Sequence, residues 1–204
     1  MNITLFSQNI YLIKNTELPH EKILKEIKGL KWSKVFPQIL TPNYDTKQYI
    51  SEYNILDTLS SEIKKNIKLK FEHCLKEAIK SFGFDTDFII HNSWVNKIKP
   101  GNYSEFHNHR NFFLSLVYYP HGNFSIIFKK HEIDFFEINI KKQNSLVNNL
   151  CSIPVGEGDI VIFPAYMLHK IGFNNTKTNR YSIAVNVLPA GIVGKEDGKI
   201  FFKK

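Results

Sequence analysis

The fold class predicted by this sequence is mainly β with N-terminal helices (α+β), and three observations carry it. From residue 84 onward, short β-rich runs alternate with Gly, Asn and Pro turn signals, the pattern of an all-β sandwich or barrel. Ahead of them, residues 58–82 repeat apolar side chains every four positions, the mark of a long helix with one buried face. The aromatic complement, 17 Phe and 9 Tyr, suits the pleated, half-buried surface of strands. A chain of 204 residues, 43% of them hydrophobic, is long enough to bury a substantial core. It has no internal repeat, low-complexity tract or linker, so a single domain is expected over 1–204. Within it, residues 1–85 read as helical and irregular support, 86–190 as the β core and 191–204 as a tail.

The elements follow in order. Residues 1–18 alternate loosely in "ITLFSQNIYLI" and predict an opening strand. Pro19 fits the first turn of a short helix through "HEKILKEIK", which Gly29 stops. Residues 31–56, with Pro37 and Pro42 among several Tyr and Asn, read as irregular. The long helix aligns Leu59, Ile63, Ile67, Phe71, Leu75 and Ile79 on one stripe, joined by Ala78 and Phe82; Asp57 or Thr58 caps its start and Gly83 ends it. The predicted strands are "FIIHNSWVNKI", "FFLSLVYY", "FSIIF", "DFFEINI", "CSIPV", "IVIF" and "YSIAVNVL". The tail "GKEDGKIFFKK" is a last edge strand or a loose end.

Composition narrows the function classes. Cys74 and Cys151 lie far apart with no CxxC pairing, which argues against a disulfide framework or a thiolate zinc site and for a reducing, cytoplasmic setting. The start lacks the basic n-region of a signal peptide, and no apolar run approaches the ~20 residues of a membrane span. The strings "NYS", "NFS" and "NNT" match glycosylation sequons, which without a secretion signal read as chance. The net charge of +8 comes almost wholly from Lys in a Lys-, Asn- and Ile-rich composition, so no dedicated nucleic-acid site is expected. Against that background the two arginines, Arg110 and Arg180, stand out, because an Arg marks a place that needs a planar two-pronged donor.

Three segments carry chemistry. In "FHNHR" a spacing of two puts His107 and His109 on one face of an extended chain, where two imidazoles can grip one metal ion. In "GDIVIFPAYMLHKIGF" Gly158-Asp159 is a turn, residues 160–163 are an apolar strand ended by Pro164, and His169 follows as a distant imidazole able to return to the same mouth. In "NRYSIAVNVL" Arg180 and Ser182 share a strand face; a guanidinium and a hydroxyl pointing inward beside a metal make a carboxylate-binding pair. Taken singly, each segment also reads as ordinary surface; it is their combination that points to a site.

Taken together, "SWVNKIKPGNYSEFHNHRNFFLSLVYYP", "GDIVIFPAYMLH" and "RYSIAVN" resemble the 2-oxoglutarate- and iron(II)-dependent oxygenases, closest to the branch of small oxygenases common in marine bacteria and phages. The resemblance covers roughly residues 90–188 and implies a double-stranded β-helix, or jelly roll, with the long helix as support. It implies Fe(II) held by His107 and His169, with His109 where the wider superfamily has a carboxylate and Glu105 as a substitute. It implies 2-oxoglutarate as cosubstrate, its far carboxylate reaching Arg180, Ser182 and Tyr119, with Asn96 facing cosubstrate or substrate and Trp94 in the core. The implied reaction is hydroxylation by dioxygen of a small-molecule or peptidyl substrate, with release of succinate and carbon dioxide and with ascorbate as a reductant. A phage-encoded enzyme acting in a host cytoplasm fits that branch, and exposed strand edges allow a homodimer.

Two rivals remain at this stage. A cupin has the same barrel, and Gly101 with His107-x-His109, then Gly158, Pro164 and His169, fits parts of its two motifs. The expected Glu falls on Phe113 or Leu114, the expected Gly on Tyr166, and Arg180-x-Ser182 is left without a reason. A three-His enzyme independent of 2-oxoglutarate belongs with that rival. A catalytically inert jelly roll, such as a virion-associated protein, is the other.

Overall fold

A computed structural model describes residues 8–34, 48–51, 53–130 and 148–203. In chain order the elements are β1 (Tyr11–Ile13), α1 (His20–Lys28), β2 (Ser33–Lys34), β3 (Gln48–Ile50), α2 (Ile55–Thr58), α3 (Ser61–Ser81), β4 (Asp87–Ile98), β5 (Leu114–His121), β6 (Phe124–Lys129), β7 (Leu150–Val155), β8 (Ile160–Pro164), β9 (Leu168–Ile171), β10 (Arg180–Val193) and β11 (Ile200–Phe202). They form three layers. A large antiparallel sheet runs β1-β8-β5-β10-β4-β3-β2, with β11 on the far end of β10, and a small sheet runs β7-β6-β9.

The two faces of the large sheet build two cores. On its outer face Leu114, Leu116 and Tyr118 of β5 and Tyr181, Ile183, Val185 and Val187 of β10 meet the apolar stripes of α1 and α3. On its inner face Val117 and Tyr119 of β5, Ala184 of β10 and Trp94 and Ile98 of β4 meet Phe124, Ile126 and Phe128 of β6 across the space between the sheets. This is the period of two at work: each central strand is buried on both sides, so it reads as a nearly continuous apolar run whose alternate residues serve different cores. The arrangement, a mainly β jelly roll backed by helices, is the fold class the sequence predicts.

Helix α3 buries the stripe Ile63, Ile67, Phe71, Leu75 and Ile79 as its spacing requires. Its start differs from expectation. Leu59 adopts an extended conformation between α2 and α3, so the first helical residue is Ser61 and the cap position is Ser60. Asp57 and Thr58 belong to the preceding turn: Asp57 pairs with Lys64 at 2.8 Å, and the Thr58 hydroxyl donates to Ile55 O. Gly83 ends the helix at φ +79°, a left-handed conformation that favours a residue without Cβ. Pro19 lies at the N-cap of α1, one residue before the expected first turn.

The predicted strands in "FIIHNSWVNKI", "FFLSLVYY", "FSIIF", "CSIPV", "IVIF" and "YSIAVNVL" all form, and β10 runs five residues past Leu188 to pair with β11, so of the two readings of the tail, edge strand or loose end, the strand is the one that forms. The opening strand is confined to Tyr11–Ile13 among the described residues. The predicted strand "DFFEINI" and most of the loop "KKQNSLVNNL" lie outside the described residues. Strand β9 was not foreseen. At four residues its apolar pattern is too short to read, yet it carries His169.

Candidate metal centre

His107, His109 and His169 converge because the extended segment after β4 runs antiparallel to β9. Ser104 N–H donates to Ile171 O at 3.2 Å, His107 and His169 exchange both backbone hydrogen bonds at 3.0 and 2.9 Å, and His109 N–H donates to Ala165 O at 2.9 Å. Directly opposed residues of an antiparallel bridge send their side chains to the same side. The ring centroids of His107 and His169 lie 4.4 Å apart, those of His109 and His169 5.1 Å, and those of His107 and His109 5.4 Å. One ring nitrogen from each imidazole lies within 4.8 Å of the others, a spacing that could hold one metal ion.

In all three rings Nδ1 is already committed. His107 Nδ1 meets Glu105 O at 2.9 Å, His169 Nδ1 meets Met167 O at 2.9 Å, and His109 Nδ1 meets Asn186 Oδ1 at 2.6 Å. A carbonyl oxygen only accepts, so each Nδ1 carries the proton and each Nε2 keeps its lone pair for a metal. The Ser115 hydroxyl adds a second contact to His109 Nδ1 at 2.7 Å. Glu105 thus serves the site through its backbone, and the grouped side chains are the three imidazoles.

Burial keeps these rings neutral. Desolvation is the leading cause in each: it lowers the half-buried His109 to about 4, lowers the buried His169 well below its usual range, and lowers His107, which is the most exposed of the three. Neighbouring imidazoles add to the lowering for His109 and His169. Three neutral imidazoles suit a divalent first-row metal, because protonated rings could not ligate.

The inner face of the large sheet continues from the imidazoles to the end that carries Arg180. Asn186 opposes Ser115 on β5 and Asn92 on β4; one row on, Ala184 opposes Trp94, then Ser182 opposes Asn96 and Arg180 opposes Ile98. Arg180 and Ser182 are 5% and 2% exposed, so Arg180 is no surface salt-bridge former. The guanidinium sits 5.4 Å from the Phe124 ring centroid, and Tyr119 packs on the same ring at 4.8 Å. Arg180 Nη1 donates to Phe173 O at 3.1 Å and Nη2 to Asn175 Oδ1 at 3.0 Å, which fixes the fork. Two of its five N–H donors are thereby used. Burial lowers Arg180 from its usual value and raises the Tyr119 hydroxyl.

Three buried polar side-chain atoms lack a hydrogen-bond partner among the described residues: Arg180 Nε, Tyr119 OH and Asn92 Oδ1. All three residues belong to this inner face. An unmet buried donor is costly, and two of them around one phenyl ring fit a carboxylate that would accept from both. That is the observation by which the chain fits an anionic cosubstrate.

The sequence expectation named His107, His109, His169, Arg180, Ser182, Tyr119 and Asn96; the structure brings the three imidazoles together, His169 from β9 of the small sheet and His107 and His109 from the segment beside it, and places Arg180, Ser182, Tyr119 and Asn96 on β10, β5 and β4 of the large sheet. Asn96 accepts from Trp94 Nε1 at 3.3 Å, and Trp94 is core, as expected. Asp159 is a turn residue, bonded to Lys14 and to the Gly156 and Asn15 amides. Asn186, Ser115 and Asn92 escaped the reading. Part of their signal was present: Asn186 and Ser115 are each a lone polar residue in an apolar run, "IAVNVL" and "FFLSLV", whereas Asn92 sits among polar neighbours in "IIHNSWV".

Residues 92–186 match a family model described as "Putative 2OG-Fe(II) oxygenase". No curated protein matches the chain by sequence. Among solved structures, the chain is similar to a Pseudomonas putida prolyl-4-hydroxylase (13% identity, 89% of this chain and 93% of that one, TM-score 0.57). It is also similar to the epimerase SnoN in complex with Fe3+, alpha ketoglutarate and nogalamycin RO (10%, 94% and 83%, TM-score 0.65). A third is HygX from Streptomyces hygroscopicus with nickel, 2-oxoglutarate and hygromycin B (11%, 89% and 83%, TM-score 0.55). At these identities the solved structures speak for the fold.

Proposed function

We propose that this chain, whose residues 92–186 match a 2-oxoglutarate- and iron(II)-dependent oxygenase family model, is such an oxygenase and hydroxylates its substrate with His107, His109 and His169 as the iron ligands and Arg180, Ser182, Tyr119 and Asn96 as the cosubstrate contacts. With iron(II), 2-oxoglutarate and dioxygen the bound group supplies an oxidant that puts one oxygen atom into a C–H bond and the other into succinate, with loss of carbon dioxide. The chain's own part is positioning. Three Nε2 lone pairs bind the ion, each ring aimed by its Nδ1 contact. The Nε–H and remaining N–H groups of Arg180 would hold the far carboxylate, with the Tyr119 and Ser182 hydroxyls completing its hydrogen bonds. The apolar walls Trp94, Val117, Phe163 and Phe124 exclude water between the two ends.

The supporting observation is the pairing of three mutually facing imidazoles with two unmet buried donors on the inner face of the large sheet. The test is succinate formation from 2-oxoglutarate with iron(II) and ascorbate. Wild-type protein is expected to show slow turnover even without prime substrate, and Arg180→Ala near loss of it. Iron binding without any 2-oxoglutarate binding would leave a three-His centre of another kind.

The finer parts of the reading are these. The substrate is a small molecule or a peptide side chain; the similar folds include a protein named prolyl-4-hydroxylase and one holding hygromycin B. Action in a reducing cytoplasm, including that of a phage host, is supported by two unpaired cysteines, one buried and one exposed. Among the described residues no helix is long and apolar enough to cross a membrane. Residues 86–190 form the catalytic core, supported by 1–85 and trailed by 191–204. Self-association as a homodimer through exposed strand edges is tested by sedimentation velocity, which would read twice the 23.8 kDa chain mass.

A further inference from the structure

Of the three imidazoles, His109 is anchored differently. His107 and His169 give Nδ1 to the backbone carbonyl two residues before them, a contact that needs no particular side chain. His109 gives Nδ1 to the Asn186 carboxamide at 2.6 Å, with the Ser115 hydroxyl at 2.7 Å. These two residues are direct cross-strand partners on β10 and β5, are 5% and 0% exposed, and reach the same ring nitrogen from the two central strands. Nothing in the packing of an apolar sheet calls for them. A buried Asn and a buried Ser in register, both aimed at one imidazole, have a job toward that imidazole.

We infer that Asn186 and Ser115 are positioning residues that hold His109 as a neutral ligand with Nε2 directed at the metal. They also hold the third ligand uncharged from behind: an amide and a hydroxyl stand where an aspartate would push negative charge onto the ring. Metal affinity is therefore set at Asn186, and adding charge there strengthens it. Because a dianionic cosubstrate then supplies the compensating charge, metal and 2-oxoglutarate bind with positive coupling, each raising the other's affinity by the same factor. The inference rests on the proposed reading of the three imidazoles.

The test is titration of the full chain with Co(II) alone, followed by its visible absorption band and by quenching of Trp94, whose ring lies 5.4 Å from His109. Asn186→Ala is expected to weaken Co(II) binding 10- to 100-fold, of the order seen when such outer contacts are removed, and to alter the band. Asn186→Asp, nearly isosteric, is expected to restore or exceed wild-type affinity and to reduce the gain on adding 2-oxoglutarate. Ser115→Ala is expected to act in the same direction as Asn186→Ala, more weakly. If Asn186→Ala fails to fold, Asn186→Asp and Ser115→Ala decide. Wild-type affinity and spectrum in all variants would overturn the inference while leaving the imidazole centre standing. No Co(II) binding by the wild-type chain would overturn the centre itself, and the inference with it.

Discussion

Tyr119 carries the sharpest residue-scale consequence. Its hydroxyl is fully buried and has no hydrogen-bond partner among the described residues, and a buried donor left unmet costs about 1–3 kcal/mol. If a carboxylate of the cosubstrate completes that hydrogen bond, Tyr119→Phe separates stability from affinity. Urea unfolding of the ligand-free variant should give a stability equal to wild type or higher. Binding of 2-oxoglutarate to the Mn(II)-loaded variant should be weaker by about tenfold, the equivalent of ~1.4 kcal/mol. A ligand-free protein destabilised by the change would mean that the hydroxyl already has a partner. Arg180, Ser182 and the three histidines were readable from sequence because spacing and rarity mark them. Asn186 and Ser115 stand out only as polar residues in apolar runs; their role is not readable, because it depends on which strands become neighbours, and "IAVNVL" does not say that it lies beside "FFLSLV".

Among the elements, α3 and β9 mark the two ends of what periodicity can convey. Helix α3 spans 21 residues, enough turns for its buried stripe to show, and the structure buries that stripe as read. Its break at Leu59 was invisible, since Leu59 is buried in the same core whether helical or extended. Strand β9 has four residues, and only its pairing with β6 makes it a strand. Phe71 sits at the centre of α3, wholly buried, its ring 6.0 Å from that of Tyr118 on the outer face of β5. Phe71→Ala should cost about 3–5 kcal/mol in denaturant unfolding, the usual toll of a large buried ring and the cavity it leaves. The imidazoles lie on the other side of that sheet, so Co(II) affinity of the folded variant should stay near wild type. A large loss of affinity would show that the helical layer shapes the metal site and does more than support it.

At the scale of the whole molecule, the site is written into the pH dependence of folding. The unfolded chain protonates its histidines near pH 6.5, while the folded, metal-free chain holds His109 to about 4, His169 well below its usual range and His107 lowered. Between those limits the unfolded state binds protons that the folded state refuses, so stability falls as pH falls. Each tenfold difference in proton affinity is worth ~1.4 kcal/mol, so His109 alone removes about 2–3 kcal/mol by pH 4, and His169 adds to it. Asp159 and Asp57 are held below their usual value of 3.8, so most of their contribution is lost at lower pH than this window. The metal-free protein should therefore show a urea midpoint that declines steadily from pH 7 to pH 4.5, and His109→Asn should flatten part of that decline. A wild-type profile flat across this range would mean that the three rings are solvated and protonate freely when folded. A pocket so wet could not keep its imidazoles neutral for a metal, and the proposed centre would lose its physical basis.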